Sequence, residues 1–197
     1  MTTDLLAALI VFAFVSSITP GPNNLMLMAS GANFGLRRTL PHVAGVGLGF
    51  VFLTLVIGAG LSSLFEGFPA SYAALKAVSV VYMLWLAWKI AHAAAPDQPE
   101  PTGRPFTFLQ AAAFQWVNPK AWAMALTALA VYAPSDSFSA VAVVALVFGA
   151  VNLPSVGVWV LLGLKLRRLL SNPRRLRVFN VTMALLLVAS LAPILVG

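Results

Sequence analysis

The residues with the most chemistry to offer sit where two long apolar runs are interrupted, at "ITPGPNN" (18–24) and at "QWVNPKA" (115–121). A proline lacks an N–H, and its ring displaces the carbonyl four residues earlier. Pro20, Pro22 and Pro119 are therefore expected to free the carbonyls of Ser16, Ile18 and Gln115. Thr19 and Asn118, each preceding a proline, are pushed out of the helical region. The half-helices that resume after Pro22 and Pro119 begin with unpaired N–H groups and a positive dipole end, a ready place for a carboxylate. Carbonyl acceptors, N–H donors, the side-chain amides and the Lys120 ammonium together suit a small zwitterion. The residues expected to bind it are Thr19, Gly21, Asn23, Asn24, Gln115, Asn118 and Lys120, with Pro20, Pro22 and Pro119 as the helix breaks. A single kink of this kind reads as a packing device whose asparagines cap freed backbone. Two matched breaks, one with a lysine beside it, favour a site.

The elements that position these residues follow from composition. Of 197 residues 60% are hydrophobic and 9% charged, and the mean hydropathy is +0.93. A soluble domain carries about 25% charged residues, so the chain reads as an integral membrane protein. Six segments, at about 5–30, 40–63, 70–92, 107–132, 138–162 and 177–195, approach or exceed the ~20 residues that cross a hydrocarbon core. The proline-rich stretch 95–105 reads as an exposed linker. One transmembrane domain over 1–197 is expected, with a first repeat at about 1–94 and a second at about 106–197.

Loop charges set the orientation. Arg37 and Arg38 follow span 1, Lys89 and Arg104 follow span 3, and Lys165, Arg167, Arg168, Arg174, Arg175 and Arg177 lie between spans 5 and 6. The opposite side carries Asp4, Glu66 and Asp136. By the positive-inside rule the basic loops are cytoplasmic and both termini periplasmic. The net charge of +7 thus reports topology rather than a nucleic-acid partner. No Lys or Arg precedes Leu5, so the first apolar run is read as a permanent span rather than a cleaved signal.

Three spans per half place the halves in opposite orientations. The fold class is therefore all-α membrane: six transmembrane helices in an inverted 3+3 repeat, with helices 1 and 4 broken near the midplane. Interrupted segments at corresponding positions of two such halves point to a transporter's binding site. Lys120 lies in the middle of span 4, where an unpaired charge costs several kcal/mol. No Asp or Glu lies well inside any span to pair with it, so freed carbonyls or a substrate carboxylate remain as its partners. Lys76, near the outer end of span 3, can snorkel. The glycines of "GVGLG" (45–49), Gly58 and Gly60 read as close helix packing. Asn152 and Pro154 make a candidate gate or a packed kink in span 5. His42 reads as interfacial, and Tyr82, Trp85 and Trp88 as an aromatic belt. The absence of cysteine excludes thiol redox chemistry, disulfides and thiolate metal sites. No metal-ligand cluster, phosphate loop or catalytic triad is visible, so no enzyme activity, metal or cofactor is expected.

"ITPGPNN" in span 1, "AGVGLGF" in span 2, "VYMLWLAWKIA" in span 3 and "FQWVNPKA" in span 4 resemble the LysE/RhtB superfamily of bacterial amino-acid exporters, in order and spacing over nearly the whole chain. "TPGPN" is the specific element. The chain is most similar to the cysteine and O-acetylserine exporter branch. The resemblance implies efflux from cytoplasm to periplasm across the inner membrane, driven by the proton gradient. Many relatives carry an acidic residue where this chain has Phe50, a departure that argues against basic amino acids or metal cations as substrate. The cysteine-exporter branch shares the phenylalanine. The expected activity is export of small neutral amino acids or derivatives, cysteine/O-acetylserine-like or homoserine/threonine-like. A membrane-embedded redox or metal-handling protein and an accessory subunit without transport of its own are the rivals. The partners expected are the amino-acid substrate and the lipid bilayer, and the oligomeric state stays open.

Overall fold

The computed structural model describes residues 1–61, 69–92, 103–133, 137–167, 170 and 172–189, and its regular elements are all helical. Glu66, Asp136, the linker as far as Thr102 and the side chain of Lys76 lie outside the described residues. Helix α1 (Thr3–Ile18) is capped by Thr2, whose Oγ1 accepts from the Leu5 N–H at 3.3 Å. Helix α2 (Pro22–Phe34) leaves it at a bend of 55°. Gly35, at φ 79°, turns the chain into α3 (Leu36–Val56), a dihedral that a residue with a Cβ adopts only with strain. A π turn at Ile57–Leu61 closes α3, and α4 (Pro69–Ala91) follows. Helix α5 (Phe108–Phe114) starts in a Thr107–Gln110 capping box and tightens into a 3₁₀ turn at Gln115–Val117. Then come α6 (Pro119–Tyr132), α7 (Phe138–Arg167) and α8 (Pro173–Ala189).

Two stretches, Leu36–Gly60 and Phe138–Leu166, are long and apolar enough to cross a membrane as single helices. The bent pair α1–α2 makes a third if it is counted as one span. The expected spans 1 and 4 both appear as broken pairs, α1–α2 and α5–α6. Boundaries moved elsewhere. Helix α7 runs on to Arg167, and α8 begins at Pro173 rather than near 177, because Asn172 Oδ1 accepts from the Arg174 N–H at 2.9 Å and proline suits the first helical position. Pro154 lies inside α7, which continues past it as one helix.

Glycine brings the helices close. A methyl on Gly31 would run into the Val160 carbonyl oxygen, and one on Gly163 into the Met28 carbonyl oxygen, so α2 and α7 meet backbone to backbone. A methyl on Gly49 would stand 2.6 Å from Ala112 Cα, which sets α3 against α5 the same way. Several apolar clusters result, of which two are the largest among the described residues. One joins Leu9, Phe50, Trp122 and Phe148 from α1, α3, α6 and α7. The other joins Met26, Met83, Phe114 and Leu187 from α2, α4, α5 and α8. The outside is apolar too: Val11, Val81 and Leu146 are each more than 60% exposed. Such a surface suits hydrocarbon rather than water. His42, expected at an interface, is instead only 2% exposed, because the segment around Phe106 folds over α3 and sets that ring 5.3 Å from the imidazole.

Candidate functional site

The two breaks meet. Thr19 (φ −65°, ψ 146°) and Asn118 (φ −93°, ψ 107°) are both extended, as a following proline requires. A carbonyl released from a helix has to find another donor, and all three released carbonyls do. Thr19 Oγ1 donates to the Ser16 carbonyl at 3.0 Å, and Trp159 Nε1 of α7 donates to that of Ile18 at 3.0 Å. The Gln115 carbonyl accepts from the Asn118 N–H at 3.4 Å. Asn24 Nδ2 then ties the first break together, reaching the carbonyls of Ser17 at 2.8 Å and Thr19 at 2.7 Å.

Lys120 joins the halves. Its Nζ donates to the Thr19 carbonyl at 2.8 Å, to Thr19 Oγ1 at 3.0 Å and to the Pro20 carbonyl at 3.3 Å. An ammonium has three donors, and all three are engaged. The lysine stem runs across Gly21: a methyl there would stand 2.7 Å from Lys120 Cδ. Gly21 is extended, so the requirement for glycine is spatial and not conformational. Below it, Asn23 and Gln115 exchange amides, Asn23 Nδ2 to Gln115 Oε1 at 2.8 Å and Gln115 Nε2 to Asn23 Oδ1 at 3.2 Å. Asn118, nearly fully buried, caps α6 by accepting from the Lys120 N–H at 3.2 Å.

A cavity of about 20 Å³ lies among these groups, with room for roughly one water. Gly21, Asn23, Asn24, Asn118 and Lys120 line it, whereas Thr19 and Gln115 reach it only through Lys120 and Asn23. Thr19 and Pro20 are exposed, so the cluster lies at the edge of the bundle on that side. Phe50 forms an apolar wall, its ring 5.1 Å from that of Phe148. Asn152 also lines the cavity and donates from Nδ2 to Ser17 Oγ at 3.0 Å, while its Oδ1 has no partner. Pro154 stays outside.

Three contributors were missed in the sequence. Ser17 anchors Asn152, and Trp159 and Trp122 supply indole donors, the latter to the Trp116 carbonyl at 2.9 Å. An indole N–H on an apolar helix needs an acceptor, and a proline break nearby offers one. The two breaks are also unequal. The second is held by its own neighbours, Trp122 and Asn118, whereas the first adds to its local Thr19 and Asn24 the distant Lys120, Asn152 and Trp159.

An apolar helical bundle with two proline-broken helices joined around a polar cavity defines a polytopic membrane protein of the broken-helix kind. More particularly, the chain belongs to the LysE type translocator family, whose profile matches residues 14–192. It is 32% identical to the cysteine/O-acetylserine efflux protein of Escherichia coli K12 over 192 residues, 95% of this chain and 96% of that protein. It is 34% identical to the Klebsiella pneumoniae protein of the same description over 132 residues, 67% of each chain. No solved structure matches it.

Proposed function

We propose that this chain is a secondary active exporter of small neutral amino acids or their derivatives, of the cysteine and O-acetylserine kind, moving them from cytoplasm to periplasm across the bacterial inner membrane. The single observation that carries the reading is the Lys120 ammonium lodged on the carbonyls of Thr19 and Pro20, one broken helix clasping the other. The family and the efflux relatives supply the direction and the class of cargo.

The arrangement works as an exporter in the following way. Six spans form two inverted halves of about 1–94 and 106–197, with the breaks near the midplane. The packing supports the pairing: α1 rests on α7 as α5 rests on α3, and α4 and α8 pair with each other. A substrate carboxylate takes one donor of Lys120 together with the first-turn N–H groups of α2, and the substrate ammonium takes a carbonyl that the lysine releases. Thr19, Gly21, Asn23, Asn24, Gln115, Asn118 and Lys120 form the site, and Asn152 stands at its gate. The cavity holds about one water, so the halves part to admit a substrate. Phe50 leaves no carboxylate at that wall, which favours neutral over cationic cargo.

The test is counterflow in liposomes holding the purified chain, against labelled O-acetylserine, cysteine, homoserine, threonine and lysine. Uptake of the neutral compounds above protein-free liposomes is expected. Lysine carried as well as the neutral compounds, or none carried at all, would sink the reading.

A further inference from the structure

A second cavity, of about 290 Å³, opens between α2, α3, α4 and the segment 103–106. It stands at the lower edge of the size range of small-molecule sites, about 300–1,000 Å³, and unlike the central cavity it has room for an amino acid. Its walls carry Trp88 and Phe106, and two cationic side chains, Lys89 and Arg104, with no acidic one among the described residues. Deep in it sit two buried polar side chains whose hydrogen bonding is incomplete. His42 is 2% exposed, and neither ring nitrogen has a partner. Asn33 is 7% exposed; its Nδ2 donates to the Ala29 carbonyl at 2.8 Å and to Asn180 Oδ1 at 3.2 Å, but its Oδ1 accepts nothing. Native interiors rarely leave three such atoms unmatched in one place, and an unmatched set beside a cavity of ligand size marks where a ligand's polar groups belong.

We propose that this cavity is a loading site on the basic face, which binds a small zwitterionic amino acid before it reaches the central breaks. The ligand's carboxylate faces Lys89 and Arg104. Its ammonium meets Asn33 Oδ1 and the lone-pair nitrogen of a neutral His42, and its short side chain lies along Trp88 and Phe106. The inference rests on the exporter reading and gives it an entrance. Helix α2 links the two places. Asn23 lines the central cavity, and Met26, one turn further on, lines this one. The Asn23–Gln115 amide pair and the buried Phe114, which shares an apolar cluster with Met26, accompany α2 over that turn. A substrate passing from the loading site to the centre has to move these groups aside.

The chain has no cysteine, so a single introduced thiol reports cleanly. Ile90→Cys and Phe34→Cys each place one on the half-buried wall of the cavity. In inverted vesicles of the full chain, a membrane-impermeant methanethiosulfonate should label both. O-acetyl-L-serine at ten times its dissociation constant should slow labelling by about tenfold. The protection should survive Lys120→Met and disappear in Asn33→Leu and in His42→Phe. Protection lost with Lys120→Met but kept in Asn33→Leu would overturn the inference, because the thiols would then be sensing the central site. Protection given by added phosphatidylglycerol and not by O-acetylserine would overturn it too, in favour of a lipid headgroup. Counterflow of O-acetylserine that persists with no protection at either thiol removes the loading site and leaves the exporter standing. Failure of counterflow itself removes the exporter reading, and the loading site with it.

Discussion

Replacing Lys120 by methionine keeps most of the side chain's length and deletes its charge. The ammonium makes three contacts across the junction of the two breaks, at 2.8, 3.0 and 3.3 Å. With all three donors engaged, a substrate carboxylate has to displace one, and the Pro20 carbonyl at 3.3 Å is the weakest hold. A hydrogen bond to a charged group is worth about 1.5–3 kcal/mol net. At about 1.4 kcal/mol per factor of ten, Lys120→Met should weaken apparent substrate affinity by roughly tenfold to a hundredfold. Stability should fall by less. The Thr19 carbonyl keeps Asn24 Nδ2 as a second donor. Arginine should rescue only partly, because a planar fork does not follow the path of a lysine stem over Gly21. The assay is concentration-dependent uptake into inverted vesicles at matched expression. Wild-type affinity and rate in Lys120→Met would refute the reasoning and leave the lysine a structural clasp.

Gly21→Ala should act in the same direction as Lys120→Met, since its methyl would crowd Lys120 Cδ; an alanine variant with normal uptake would show that the stem has another route. Asn23→Leu and Gln115→Leu should each destabilise by about 1–3 kcal/mol, by stranding the partner amide, and the double variant by less than their sum. Thermal unfolding in detergent measures the cycle, and strict additivity would mean the pair is not coupled. Gly163→Ala and Gly31→Ala should lower the yield of folded protein, with overpacking worth about 1–3 kcal/mol or more, while Gly157→Ala, where a methyl meets nothing within 4 Å, should be silent. Arg37→Cys should react with an impermeant maleimide from the cytoplasmic side and Asp4→Cys from the periplasmic side; the reverse pattern would invert the topology read from the basic loops.

The breaks were legible because proline acts locally. Knowing Pro20, Pro22 and Pro119 is enough to name the released carbonyls and the extended residues before them. The donors that complete those carbonyls were only half legible. Trp159 lies 141 positions from Ile18, and no periodicity places an indole against a particular carbonyl at that separation. Lys120 stood out as a charge without a side-chain counter-ion, which left backbone carbonyls or a substrate carboxylate to hold it, and the carbonyls of Thr19 and Pro20 do. That α3 packs closely on a neighbour was readable from the glycines of 45–49, whereas α5 as that neighbour and the burial of His42 were not. It depends on how the chain after the linker folds back over α3, a matter of tertiary path.

The inequality of the two breaks bears on how the protein is made. The second break is finished by residues within six positions of it, so it can close as it leaves the ribosome. The first leaves carbonyls waiting for Lys120 and Trp159, which are synthesised about a hundred residues or more later, and waiting in lipid is costly. During biogenesis the bent α1–α2 pair should therefore linger where water or the insertion machinery can satisfy it, and dock only when α6 and α7 arrive. A fragment ending before residue 106 would carry an open wound in its first helix, inviting membrane quality-control proteases. Supplying 106–197 as a separate chain should protect it in trans.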